Sequence, residues 1–127
     1  SEKSRKKYVN HQIEELSIKC AGRDQSVSQL SGGNKQKVVF GKWIGCGSEI
    51  LILDCPTRGV DIGVKQAMYQ LMVRLKNEGK SILMISEELP ELIGMSDRIL
   101  IMKNGEVSAE FERSETLSDA QIIEYMI

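Results

Sequence analysis

The sequence predicts an α/β fold with parallel strands and an antiparallel hairpin near its C-terminal end. Three observations predict it. Two short continuous apolar runs, residues 50–53 (ILIL) and 81–86 (SILMIS), flank an amphipathic helical pattern. An Asn104-Gly105 pair separates two further strand-like runs. The order strand, helix, strand, helix, strand implies right-handed crossovers between parallel strands of one sheet. At 127 residues the chain fits one domain. Apolar residues make up 41% and charged residues 28%, which argues against wholesale disorder. No run of 18 or more apolar residues occurs, which excludes a membrane-spanning helix. The 17 basic and 18 acidic side chains nearly cancel, leaving a formal charge of −1. That balance is unlike a strongly basic nucleic-acid binder, so no nucleic-acid partner is expected. Cys20, Cys46 and Cys55 form no CxxC pair and no zinc spacing, so free thiols in a reducing compartment are expected. Residues 1–7 are charged and not leader-like, and the absence of an initial Met suggests a processed or excised piece.

The elements follow in order. Tyr8, Val9, Ile13 and Leu16 recur at helical intervals, so residues 2–16 read as an amphipathic helix. The basic cluster at residues 4–7 is a solvated helix end or a phosphate or lipid contact, and His11 is a surface residue. Residues 21–28 form a polar loop. Ser31 is a good N-cap for a helix carrying Val38, Val39, Phe40, Trp43 and Ile44, with Trp43 expected in the core. Residues 50–53 read as a fully buried strand ending in Asp54, and 55–59 as a turn. Asp61 can cap the next helix, whose stripe is Val64, Ala67, Met68, Leu71, Met72 and Leu75, and Gly79 stops it. Residues 81–86 form a second buried strand, and 87–96 a helix with Pro90 in its first turn, where proline is tolerated. Strands at 98–103 and 106–111 flank the Asn-Gly turn. The Ser118-to-Gln121 stretch resembles a capping box and opens a last helix through residue 127.

Four segments carry candidate chemistry. Ser31-Gly32-Gly33 places two glycines in a first helical turn, where they are poor formers, so something approaching the backbone would explain them. A helix start offers free amides and partial positive charge, which suits a phosphate, although Ser-Gly-Gly is also a common loop. Asp54 ends a strand at the edge where α/β sheets bind ligands; it either holds Mg²⁺ through water or caps the following turn. Residues 57–61 (TRGVD) form the loop beyond it, with Asp61 as an N-cap in any case. Ser86-Glu87-Glu88 follows the second strand, and glutamates are also favoured at a helix start by its dipole.

Taken together, in order and spacing, these segments resemble the nucleotide-binding domain of an ABC (ATP-binding cassette) transporter. LSGGN at residues 30–34 is similar to the family signature, residues 50–54 to the Walker B strand, residues 58–61 to the D-loop, and Glu87 falls at the switch-histidine position. The wording LSGGNKQK, DCPTRGVD and EELPELIGMSDRI is most similar to the second cassette of double-cassette sugar-importer ATPases. The resemblance is strong over residues 30–111 and implies a partial P-loop NTPase core. Residues 1–46 would be part of the helical signature subdomain and 47–127 the C-terminal part of the ATPase core. It further implies that Ser31, Gly32, Gly33 and Asn34 contact the γ-phosphate of ATP held by a partner cassette. Asp61 would contribute from the D-loop, and Asp54 would hold Mg²⁺ through water.

The sequence also departs from that family. No GxxxxGK[ST] phosphate loop occurs, so the Walker A strand is absent and the isolated chain is not expected to bind ATP tightly. Cys55 stands where the family places a catalytic Glu, and Glu87 stands at the switch-histidine position. A thiol holds its proton near neutral pH and accepts hydrogen bonds poorly, and the negative charge of Glu87 would repel a γ-phosphate, so both positions are expected to be inactive. The expectation is a weakly hydrolytic site whose signature completes the site of another cassette. The implied partners are the first cassette of the same parent chain and membrane permease subunits, at the cytoplasmic face of the cell membrane. The bare apolar edge of the second strand predicts self-association. Two rival readings are a non-transport ABC ATPase and a non-catalytic dimerisation module.

Overall fold

Ser1 opens the first helix, α1 (Glu2–Glu15), by accepting the Ser4 backbone N–H at its hydroxyl oxygen, 3.3 Å. The computed structural model describes residues 1–127. α1 buries none of its residues, and His11 is exposed as expected. The chain then turns through buried Leu16 and Ile18, with Ser17 between them at φ +48°. The loop that follows ends in a 3-10 turn, Val27–Gln29.

The second helix, α2 (Gly32–Ile44), meets α1 through two glycines one turn apart. The Tyr8 hydroxyl donates to the Gly41 carbonyl at 2.5 Å, and a methyl group at Gly45 would overlap the Tyr8 phenol. Burial, helped by the neighbouring Cys46 thiol, pushes the Tyr8 phenol above the ordinary tyrosine value. A largely apolar cavity of about 500 Å³, lined by Tyr8, Ile13, Ile18, Leu30 and Val38 among others, remains between these elements. Trp43 departs from expectation: it is 53% exposed, with the Lys42 ammonium 5.1 Å from its ring centroid. It lines up with exposed Val39 one turn earlier, while Phe40 and Gly41 take the inward face.

β1 (Ile50–Asp54) and β2 (Ser81–Ile85) pair in a two-stranded parallel sheet, connected by α3 (Ile62–Asn77). Asp61 caps α3 by accepting the Val64 N–H at 3.0 Å. Met68, Leu71, Met72 and Leu75 are buried along one stripe, each contributing about 1.5–3 kcal/mol. Gly79, at φ +88°, closes the helix as Lys80 N–H reaches back to the Leu75 carbonyl. The strands are less buried than expected. Only Leu51 of β1 is inside, while Ile50 and Ile52 are about two-thirds exposed, and Leu83 and Ile85 of β2 are half exposed. Alternation of this kind belongs to a sheet covered on one side, whereas a continuous apolar run suggests cover on both.

The C-terminal elements are α4 (Leu89–Met95), β3 (Arg98–Lys103), β4 (Glu106–Glu112) and α5 (Asp119–Ile123). Asn104 at φ +52° and Gly105 at φ +83° make the tight turn their sequence predicts. The antiparallel register pairs Ile99 with Phe111 and Lys103 with Glu106, with an irregularity between Ile101 and Met102. Ile99, Ile101 and Ile122 form a small core against Leu92, Phe111 and Leu117. The Ser118 N–H donates to Gln121 Oε1 at 2.9 Å, the return half of a capping box, but α5 ends at Ile123 rather than running to the C-terminus. By internal packing the chain forms two compact units, Ser1–Leu83 and Met84–Ile127, and the division falls inside β2.

Candidate functional site

Two helix starts in the first unit differ in a way that bears on ligand binding. The start of α3 is closed, because Asp61 occupies its first-turn amide. The start of α2 is open. Ser31 is its N-cap, with φ −61° and ψ 158°, yet its side chain makes no capping hydrogen bond. Instead Asn34 acts on it. The Lys19 N–H donates to Asn34 Oδ1 at 2.9 Å, which fixes the amide orientation, because a backbone N–H can only donate. Asn34 Nδ2 therefore faces Ser31 and donates to its Oγ at 2.8 Å. With its oxygen accepting, the Ser31 hydroxyl keeps its own proton to give to an acceptor elsewhere.

The two glycines after Ser31 do different work. A methyl group at Gly32 would meet nothing within 4 Å, and both Ser31 and Gly32 are exposed. At Gly33 the same methyl would come within 2.9 Å of Val64 Cγ2. Gly33 thus lets the start of α2 pack against the first turn of α3, and Gly32 leaves the amides open. An uncapped, exposed helix start with a hydroxyl donor beside it can hold an anion such as a phosphate.

Asp54 ends β1 with an exposed carboxylate, and Cys55 follows half-buried at φ +45°. Pro56 and Thr57 are buried behind them. Gln36, which the sequence reading did not single out, donates from Nε2 to the Pro56 carbonyl at 2.7 Å. One signal could have found it: Gln36 is a polar residue on the helical face shared by Gly33 and buried Phe40. Seven of the expected site residues, Ser31, Gly32, Gly33, Asn34, Asp54, Cys55 and Asp61, therefore lie in the unit Ser1–Leu83. Contacts through Gly33 and Gln36 link the α2 start to the Asp61-capped helix and to the turn after Asp54.

Glu87 lies in the other unit. It is exposed, next to Ser86, whose hydroxyl donates to the buried Glu91 Oε2 at 2.5 Å while accepting the Glu88 N–H at 3.0 Å. Those bonds secure the entrance to α4. No group of three or more His, Cys, Asp or Glu side chains gathers to hold a metal ion, so Asp54 would bind one only with outside ligands or water. No helix is long and apolar enough to cross a membrane.

The sequence and the fold have relatives among known proteins. The chain is 51% identical over 114 residues to the ribose import ATP-binding protein RbsA of Streptococcus agalactiae, covering 90% of this chain and 23% of that one. It is 48% identical over 112 residues to the protein of the same name from Bacillus subtilis. Among solved structures, an ATP-binding cassette of an ABC transporter in its ADP conformation superposes with a TM-score of 0.79 at 26% identity. That match covers 98% of this chain and 50% of the other. The chain is homologous to part of an ATP-binding cassette. A dimeric cassette bound to ADP and phosphate after hydrolysis shares the fold at a TM-score of 0.78 and 23% identity. No family model matches the chain. The chain spans about a quarter of the length of the curated relatives it matches.

Proposed function

We propose that this chain serves as the C-terminal portion of the second cassette of an ATPase that energises uptake of a sugar of the ribose class. The observation that carries the reading is the open start of α2, where Gly32 is unobstructed and the Ser31 hydroxyl is free to donate. Its sequence relatives, named as ribose import ATP-binding proteins, support the same conclusion. In this reading residues 1–46 belong to the helical signature subdomain and 47–127 to the ATPase core. Ser31 and the amides of Gly32 and Gly33 clasp the terminal phosphate of ATP held by the first cassette. Asn34 supports that clasp by orienting the Ser31 hydroxyl. Asp61 secures the start of α3 alongside it, and Asp54 would hold Mg²⁺ through water.

ATP supplies the phosphoanhydride bond whose hydrolysis drives transport; this chain's residues bind and orient one end of it. A thiol such as Cys55 accepts hydrogen bonds poorly and so gives poor general-base assistance, and a carboxylate in place of the family's switch histidine would repel a γ-phosphate, so the second cassette's own site turns over weakly. Loss of such a base typically costs about 10²–10⁴-fold. The parent would work on the cytoplasmic face of the membrane, bound to permease subunits. A test is ATP turnover by the full-length protein. Ser31→Arg, which fills the phosphate position, should abolish most activity, whereas Cys55→Ala should leave it nearly unchanged. Equal loss in both variants would overturn the asymmetric reading.

A further inference from the structure

The turn after β1 holds a non-glycine residue in a left-handed conformation. Cys55 carries a side chain at φ +45°, and Gly59 follows at φ +70°. A left-handed conformation at a residue with a Cβ is strained and persists only where the surroundings over-determine it. Inside the turn, Arg58 N–H reaches the Cys55 carbonyl at 3.1 Å and Val60 N–H the Thr57 carbonyl at 3.4 Å. The Pro56 carbonyl is held from outside, by Gln36 Nε2 at 2.7 Å, from a residue twenty positions earlier. Thr57, next to it, is 1% exposed, so this side of the turn has no ready exchange with water. Beyond the turn, Val64 packs on Gly33, three residues before Gln36 on the same edge of α2. The segment from Cys55 to Val64 is thus pinned to the first turns of α2 at two points, one polar and one apolar.

We infer that Gln36 is a positioning residue: its side-chain amide locks the turn at residues 55–59 to α2. The Ser31-to-Gly33 clasp and the stretch carrying Asp54, Cys55 and Asp61 then move as one body. The lock stands on geometry alone; its consequence for a bound phosphate rests on the function proposed above. Through it, an anion captured at the α2 start is felt at the end of β1 without any contact between them.

Cys55 itself reports on the lock. In a Cys20→Ser, Cys46→Ser background, Cys55 is the remaining thiol; it is half-buried with the turn closed, and its alkylation by iodoacetamide speeds up as the turn opens. Gln36→Met keeps the length and removes the donor. It should speed alkylation about three- to tenfold, the change in opening expected for one lost hydrogen bond. Gln36→Glu, which accepts but does not donate, should act likewise if Gln36→Met fails to fold. Gln36→Lys restores a donor and should return the rate towards that of the parent. Equal rates for the parent and Gln36→Met, or a Gln36→Lys rate as fast as that of Gln36→Met, would overturn the inference. In the full-length ATPase, Gln36→Met should lower kcat several-fold with KM little changed, and an unchanged kcat would overturn the coupling. A full-length protein that hydrolyses no ATP would count against the proposed function, leaving the alkylation rates to decide the lock.

Discussion

At the level of single residues, Tyr8 shows how one side chain ties two helices and acquires a titration of its own. Its hydroxyl donates to the Gly41 carbonyl, and its ring lies over Gly45, where any larger residue would collide. Burial and the adjacent Cys46 raise its pKa. The sign follows directly. The neutral phenol is favoured in the fold, so its contribution is complete below the unfolded tyrosine value of about 10. It is lost as pH rises through the raised folded value. Stability measured by urea unfolding should therefore fall above about pH 10 in the parent. Tyr8→Phe should cost about 1 kcal/mol at neutral pH and flatten that alkaline decline. An identical decline in both proteins would show that Tyr8 does not carry it.

Between elements, the contrast of Gly32 and Gly33 separates packing from ligand access. Gly33→Ala drives a methyl into Val64 and should destabilise the fold by about 1–3 kcal/mol in thermal unfolding. Gly32→Ala meets open space and should leave stability unchanged or slightly raised, since alanine is the better helix former. Equal losses would mean that the close approach of α2 and α3 is not what requires glycine. Much at this scale was legible in the sequence, because local chemistry decides it. Asp61 caps α3, Gly79 ends it, and Asn104-Gly105 turns the hairpin, each using only its near neighbours. The helix start at Ser31 was likewise visible, although its side chain leaves the first-turn amides uncapped. What escaped depended on distant partners. Apolar runs at β1 and β2 could not show that one side of each strand would remain in water. The outward turn of Trp43 depended on which face of α2 meets α1. Gln36 reaches a backbone carbonyl twenty residues away, and a carbonyl leaves no mark in a sequence. The Asn34 clasp needed the Lys19 amide, which any residue type would supply.

For the whole molecule, the exposed apolar surface sets behaviour. Ile50 and Ile52 are 67% and 68% exposed, Leu83 and Ile85 about half, and Ile62 78%. β1 and β2 form a sheet of only two strands, so one edge of each is open to pairing. We expect the isolated chain to pair with a second copy of itself. Sedimentation across a wide concentration range should show mass rising towards a dimer or above. A single monomeric species at high concentration would remove that expectation. Replacing Ile50 and Ile52 together by Thr keeps branched strand residues and should weaken the association while leaving the buried Leu51 in place.

The two isoleucines left in water on β1 also fix how the protein should be handled. Attraction between such surfaces is entropic near room temperature and fades on cooling, and excluded salts such as sulfate strengthen it. Cold, low-sulfate buffers should keep the chain dispersed, whereas gentle warming or ammonium sulfate should turn the solution cloudy well before any helix melts.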